Sequence, residues 1–176
     1  NIQIHENTSS IGAGIGLEGD VSVFMEKMAI WGNYASIEGG GIWLSNSNLT
    51  IDRSTIYNNI TDGEGAIRES PIIIDQLDYE DEILVTNSII LGDMNNILPT
   101  FAGSEAWEIE DLMSVYNSLY SGWSYFPHSS NIEYNSEDPL FETDEIETYC
   151  SYGSADFNSC NLNLSFASAA VNAGHI

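Results

Sequence analysis

The sequence predicts an all-β chain wound as a solenoid, one strand–turn–strand unit stacked on the next. Three observations carry this. A glycine bend followed by an alternating apolar stretch stands at Gly39-Gly40-Gly41-Ile42-Trp43-Leu44 and recurs at Gly12-Ala13-Gly14-Ile15 and Gly63-Glu64-Gly65-Ala66-Ile67. The phrase Ile30-Trp31-Gly32-Asn33 returns 26 residues later as Ile56-Tyr57-Asn58-Asn59, and Asn7 stands 26 residues before Asn33. No long 3.6-residue apolar pattern occurs, and Gly, Asn, Ser and β-branched residues are dense, which excludes a helical bundle. A β-sandwich also uses short strands at regular spacing, but it has no reason to repeat its sequence.

The elements follow in order. Glycine opens each unit because it admits positive φ and close passage of backbone. In the central unit Ile42-Trp43-Leu44 is expected as a short strand, Ser45-Asn46-Ser47-Asn48 as a turn, and Leu49-Thr50-Ile51 as a second strand. The equivalent second strands are Val21–Val23 before it and Ile72–Ile74 after it. A second register agrees: Ile51-Asp52-Arg53-Ser54 aligns with Val85-Thr86-Asn87-Ser88 and Val115-Tyr116-Asn117-Ser118. Ile90-Leu91-Gly92-Asp93 continues the first phrase, but Asp93 follows Asn59 by 34 residues, so one turn carries an insertion. The acidic stretch Leu77-Asp78-Tyr79-Glu80-Asp81-Glu82 accounts for it as a loop extruded from one corner. Pro99–Met113 is a second insertion, in which Glu105–Leu112 is a short strand or a helical turn over one edge. Gly122–Asn135, with Trp123, Tyr125, Phe126 and Pro127, reads as a surface loop. The whole is expected as one domain, 1–176, with regular coils over 1–93 and less regular coils and loops over 94–176.

The physical reason for stacking is burial. Alternation puts every second side chain on one face. One turn cannot bury that face alone, whereas stacked turns bury it as a continuous apolar column with like residues in ladders.

Composition narrows the function. Apolar residues make up 43% of the 176, enough for a packed core. Acidic residues number 27 against only Lys27, Arg53 and Arg68, a formal net charge of −24. Such a surface repels nucleic acid and anionic lipid, and polyanions such as pectate or alginate unless metal ions intervene. The longest apolar runs, such as Ile72-Ile73-Ile74, are strand-length, so no membrane-spanning segment is read. The chain begins at Asn1 rather than Met and is expected to be processed or partial. Cys150 and Cys160 stand ten apart in an Asn/Ser/Gly-rich segment, with no Cys-x-x-Cys or Cys/His pattern for a metal. A disulfide is therefore expected, and with it an extracellular or cell-surface address.

A longer phrase closes the chain: Asn131-Ile132-Glu133-Tyr134, then Asp138-Pro139-Leu140-Phe141, Leu162-Asn163-Leu164 and Ser168-Ala169-Ala170-Val171-Asn172-Ala173-Gly174. Together with the repeat, this resembles the right-handed parallel β-helix repeat proteins, and more narrowly the C-terminal turns of large secreted or surface-anchored bacterial β-helix proteins. Ala169 stands where that family's last phrase has Pro, and the Cys150–Cys160 segment lengthens the gap between the two phrases, which marks a divergent member. The resemblance implies the handedness of the coil and further coils upstream. It spans adhesins, sheath-like proteins and carbohydrate-active enzymes, so it does not choose among functions.

Candidate chemistry follows from the alignment. Lys27 and Arg53 fall at equivalent positions and form the one basic pair on which a polysaccharide lyase could draw; the alternative is a lateral pair offsetting Glu26 and Asp52. Glu26 and Asp52 stack in the same way, about 5 Å apart at sheet spacing, within the range for a retaining glycoside hydrolase. Asp75 and the acidic loop add further carboxylates. Calcium is the cofactor such a chain suits, with Asp78, Glu80, Asp81 and Glu82 as candidate ligands and Glu105–Asp111 and Glu142–Glu147 as further loops; none follows an EF-hand or nonapeptide spacing. His5, His128 and His175 are isolated in sequence. Trp31 and Tyr57 occupy equivalent positions, and Leu91 continues them. They are either a packed ladder or, facing outward together with Trp123 and Tyr125, a platform for sugars. The expected function is a non-catalytic structural or adhesive module of a cell surface or extracellular assembly, self-associating or binding other surface proteins. The alternative is a carbohydrate-active enzyme, a hydrolase before a lyase, or a polysaccharide-binding module.

Overall fold

The computed structural model describes residues 2–62, 72–76, 82–91, 101–103, 113–120, 130–133, 141, 150, 152–154 and 160–163. The expected bend at Gly63–Ile67, the loop residues Asp78, Glu80 and Asp81, the stretch Glu105–Leu112, and Trp123 and Tyr125 lie outside them. The described residues form β1 (Ile2–His5), β2 (Thr8–Ile11), β3 (Ile15–Glu26), β4 (Met28–Trp31), β5 (Tyr34–Glu38), β6 (Ile42–Asp52), β7 (Thr55–Tyr57), β8 (Ile60–Thr61), β9 (Ile72–Gln76), β10 (Ile83–Thr86), β11 (Ile89–Leu91), β12 (Phe101–Gly103), β13 (Met113–Tyr116), β14 (Leu119–Tyr120) and β15 (Ile132–Glu133), with no helix among them. The first sheet runs β1-β4-β7-β11-β14-β15, the second β12-β9-β6-β10-β13 with β3 also on β6, and the third β2-β5-β8. Every pairing is parallel.

The register follows the repeat. Ile4 lies opposite Ile30, Ile30 opposite Ile56, and Ile56 opposite Ile90. Beside them run His5, Trp31, Tyr57 and Leu91. In the second sheet Ile51, Val85 and Val115 are neighbours, as are Asp52, Thr86 and Tyr116.

Two expectations are corrected. The turn expected at Ser45–Asn48 is absent, and β6 is one strand over Ile42–Asp52. A single left-handed residue, Asn46 at φ 46°, kinks it. The kink resets the alternation, so Leu44 and Ser45 are both buried before Ser47, Leu49 and Ile51 resume the inward face. In β3 two left-handed residues, Gly19 and Asp20, stand at that place, and the ladder shifts between Glu18 and Val21. Val21 therefore faces Ser47, and the counterpart of Leu49–Ile51 is the run from Val23 to Met25. The second correction concerns Ile72–Ile74, which pair with Ile42–Leu44, while Leu49–Ile51 pair with Ile83–Val85. A uniform β-branched run does not distinguish first from second strand. The anchored corner after Val85 does.

At β4, β7 and β11 the first sheet is packed on both faces, the usual condition of a parallel sheet. Ile30, Ile56 and Ile90 point toward the second sheet and pack with Met25, Ile42, Leu44, Leu49, Ile51, Val85 and Val115. One residue further along each strand, Trp31, Tyr57 and Leu91 point the opposite way, into a second core completed by Leu119, Phe141 and Cys150.

Two columns of left-handed residues turn the chain at the ends of the first sheet. Glu6, Gly32 and Asn58 (φ 54°, 59° and 49°) form one, and Lys27, Arg53, Asn87 and Asn117 (54°, 48°, 50° and 50°) the other. Each leads into a ladder of polar side chains. Asn33 Oδ1 accepts the Asn7 backbone N–H at 3.1 Å and its Nδ2 at 2.9 Å, and Asn59 Oδ1 accepts the same pair from Asn33 at 3.1 and 2.8 Å. Ser54, Ser88 and Ser118 each donate Oγ to the carbonyl two residues back, at 2.9, 2.7 and 2.8 Å. Each hydroxyl also accepts a backbone N–H from the level before, from Met28, Ser54 and Ser88 in turn, at 3.1 Å each. Backbone groups that the corners remove from the sheets are thus hydrogen-bonded inside the protein, as burial requires.

Candidate functional site

The corner between the second and first sheets gathers two of the three basic residues. Strand pairing sets Glu26 opposite Asp52 and Asp52 opposite Thr86, and Lys27 and Arg53 follow as left-handed corner residues. Arg53 Nε donates to Asp52 Oδ2 at 2.9 Å, and its Nη2 pairs with Glu26 Oε1. Lys27 Nζ lies 3.4 Å from the same Glu26 oxygen. Thr86 Oγ1 and Asn87 Nδ2 donate to Asp52 Oδ1 at 2.9 and 2.8 Å. Burial raises the Asp52 pKa, but the hydrogen bonds from Asn87, Thr86 and Arg53, with the Arg53 charge, outweigh it and hold the carboxyl below its ordinary value.

This arrangement bears on the two enzymatic alternatives. A glycoside hydrolase needs one carboxyl kept protonated near neutral pH by a raised pKa. Asp52 is shifted the other way, which suits an ionised nucleophile or base and not the acid, and Arg53 binds both members of the stacked pair. A lyase needs a base with a free face toward substrate. The guanidinium of Arg53 is instead occupied by two carboxylates. Lys27 and Arg53 offset the charges of Glu26 and Asp52 at this corner, and exposed pairs of this kind contribute about 0–1 kcal/mol each.

The aromatic column has no outward face. Trp31 is 3% exposed and Tyr57 is 0% exposed. The His5 ring stacks on Trp31 at 4.4 Å, nearly parallel, and Phe141 meets Tyr57 edge-on at 5.2 Å. The platform for sugars is therefore corrected at these two positions: odd strand residues of the first sheet do face away from the main core, but later chain covers them. Exposed aromatics stand elsewhere. Phe24 and Tyr116, 63% and 39% exposed, lie on strands β3 and β13 of the second sheet, whose inward neighbours Met25 and Val115 belong to the main core.

Of the candidate calcium ligands, Glu82 is described and exposed. Its backbone N–H donates to Asn48 Oδ1 at 2.7 Å, and its carbonyl accepts from the Leu49 N–H at 3.1 Å, which anchors the loop's end to β6. Among the described residues no group of three or more His, Cys, Asp and Glu is placed to hold a metal. Cys150 and Cys160 form a disulfide with Cα atoms 4.9 Å apart. Sequence reasoning aligned the ladder residues Asn33, Asn59, Ser54, Ser88 and Ser118 without assigning their role. The signal was present: Asn or Ser directly follows each of these left-handed corners except Lys27, which Met28 follows. Comparison with protein-family models, curated proteins and solved structures finds no match to this chain.

Proposed function

We propose that the chain is a right-handed parallel β-helix of the kind it resembles, and that it serves as a non-catalytic structural or adhesive module at a cell surface or in an extracellular assembly. The observation that carries this reading is the commitment of its aligned polar side chains. Asn, Ser and the Asp52 carboxylate at repeated positions hydrogen-bond to the next level of the stack. Such ladders stiffen the stack along its length. The disulfide supports an oxidising compartment.

Electron microscopy of the purified protein, with and without a calcium chelator, tests the reading. Rods or filaments are expected, and their loss on chelation would place calcium at the contacts. Discrete monomers in both conditions, or turnover of any polysaccharide in a hydrolase screen, would overturn it. A second reading, polysaccharide binding without catalysis, is favoured by the exposure of Phe24 and Tyr116. A glycan array with Phe24→Ala and Tyr116→Ala as controls separates it from self-assembly.

A further inference from the structure

We infer that Trp43 walls a notch on the outer face of the second sheet, and that this notch takes an arginine guanidinium from a basic partner protein. The inference rests on the adhesive reading above and supplies the chemistry of the partner. It begins with the alternation of β6. Ile42 and Leu44 are wholly buried in the main core, so Trp43 between them points outward, where it is half-buried. Its side chain is fixed from the corner that precedes β6. The indole Nε1 donates to Glu38 Oε2 at 3.3 Å, and the Gly39 backbone approaches so closely that a carbon added there would stand 2.6 Å from Trp43 Cβ.

Toward β3 the surface is open. Strand pairing sets Gly16 opposite Trp43. Among the described residues, a carbon added at Gly16 would meet only the Gly12 Cα, at 4.0 Å, so no described side chain fills the place beside Trp43. Two residues along the same strand Glu18 is exposed, while Ile15 and Leu17 turn inward and pack against the main core. The notch is thus one strand wide. Trp43 is its wall and the Gly16 backbone its floor. Glu38 is held to the wall, and Glu18 stands on the strand that carries the floor.

Charge chooses the occupant. A sugar ring and a cation can both lie against an indole. This chain carries a net charge of −24 with only three basic residues, and two of those, Lys27 and Arg53, already face carboxylates at their corner. Such a field concentrates cations and does nothing for a neutral sugar. A group seated over Gly16 lies one strand spacing, about 4.8 Å, from Trp43, within the roughly 6 Å over which an aromatic face attracts a cation. A guanidinium suits the notch better than an ammonium because it is planar, stacks on the ring and offers several N–H donors to carboxylates.

The test titrates the full chain at low salt with a hexa-arginine peptide and, separately, with neutral cellohexaose. Indole N–H resonances report the site, and the Trp43 signal is identified by its loss in Trp43→Leu. Calorimetry compares the affinity of wild type, Trp43→Leu and Gly16→Thr. Neither substitution changes the net charge, so attraction by the acidic surface as a whole is the same in all three. Gly16→Thr fills the notch and spares the fold, because its backbone is not left-handed and the added carbon has room; its melting temperature is expected to match wild type. Hexa-arginine is expected to shift the Trp43 indole signal and to bind each variant roughly three-fold more weakly than wild type. Equal affinity for wild type and Gly16→Thr would overturn the inference, since binding would then come from net charge alone. A Trp43 shift produced by cellohexaose and not by hexa-arginine would overturn it too and make the notch a sugar subsite. Either failure with rods or filaments still seen by electron microscopy would strike this partner chemistry and leave the structural reading standing.

Discussion

At the scale of single residues, side chains in this protein do structural work that a list of residue types disguises. Asn33 is wholly buried and bonded on both sides: it accepts from Asn7 and donates to Asn59 Oδ1 and the carbonyls of Ile4 and Trp31. A buried amide so satisfied is neutral to the fold, whereas its removal leaves several donors and acceptors bare, at about 1–3 kcal/mol each. Asp52 behaves likewise at the surface corner. Its pKa lies below the ordinary value, so ionised Asp52 stabilises the folded chain above the unfolded-state pKa of about 3.9. That contribution falls away as pH drops through the lowered folded-state value. Asp52→Asn should therefore be less stable than wild type in urea melts at neutral pH, and the difference should shrink below about pH 4. A difference that stays constant from pH 7 to pH 2.5 would show that packing, not charge, is what Asp52 supplies.

At the scale of elements, the limiting contacts are between backbones of successive repeats. Gly40 opens β6, and a Cβ at this residue would stand 2.2 Å from the Ile60 carbonyl oxygen. Its N–H donates to Thr61 Oγ1 at 2.9 Å, so it cannot retreat without breaking that bond. Gly19, by contrast, has φ +80° and no atom within 4 Å of the same added carbon. Gly40→Ala should then cost more than Gly19→Ala, about 3 kcal/mol against about 1 kcal/mol, since the first adds a clash and the second only left-handed strain. Thermal melts of the two variants check this. Equal losses would mean that the β5–β6 corner yields more easily than its spacing implies. The kink at Asn46 belongs to this scale too: one left-handed residue replaces a turn and allows Ile42–Asp52 to pair along its whole length with β3, β9 and β10.

At the scale of the whole molecule, two cores share one sheet while the surface carries a net charge of −24. Like charges along a stack repel one another and oppose compaction, and salt screens that repulsion over about 10 Å at 0.1 M. The melting temperature should rise as sodium chloride is increased from low to moderate concentration. The Glu26, Lys27, Asp52 and Arg53 corner weakens in salt, but it is a small attractive set against a large repulsive excess. A falling melting temperature over that range would assign the dominant electrostatic effect to the corner network.

The repeat and its parallel register were legible in the sequence alone. Residues 26 apart carry the same side chains, and stacked levels favour like residues in line, so Ile30 over Ile56 and Asp52 beside Thr86 could be read before any coordinates. The positions of the corner pair Lys27 and Arg53 were legible for the same reason. Tertiary structure alone decided which way the outward residues of the first sheet meet their surroundings. Period-two alternation says that Trp31 and Tyr57 oppose Ile30 and Ile56, but it is silent on what lies beyond the sheet. Phe141, Cys150 and Leu162 settle that from far along the chain, through contacts that no local pattern encodes. Strand assignment of Ile72–Ile74 depended on tertiary structure as well, because a run of identical residues fits either register and only the anchored corner at Ser54 and Ser88 separates them.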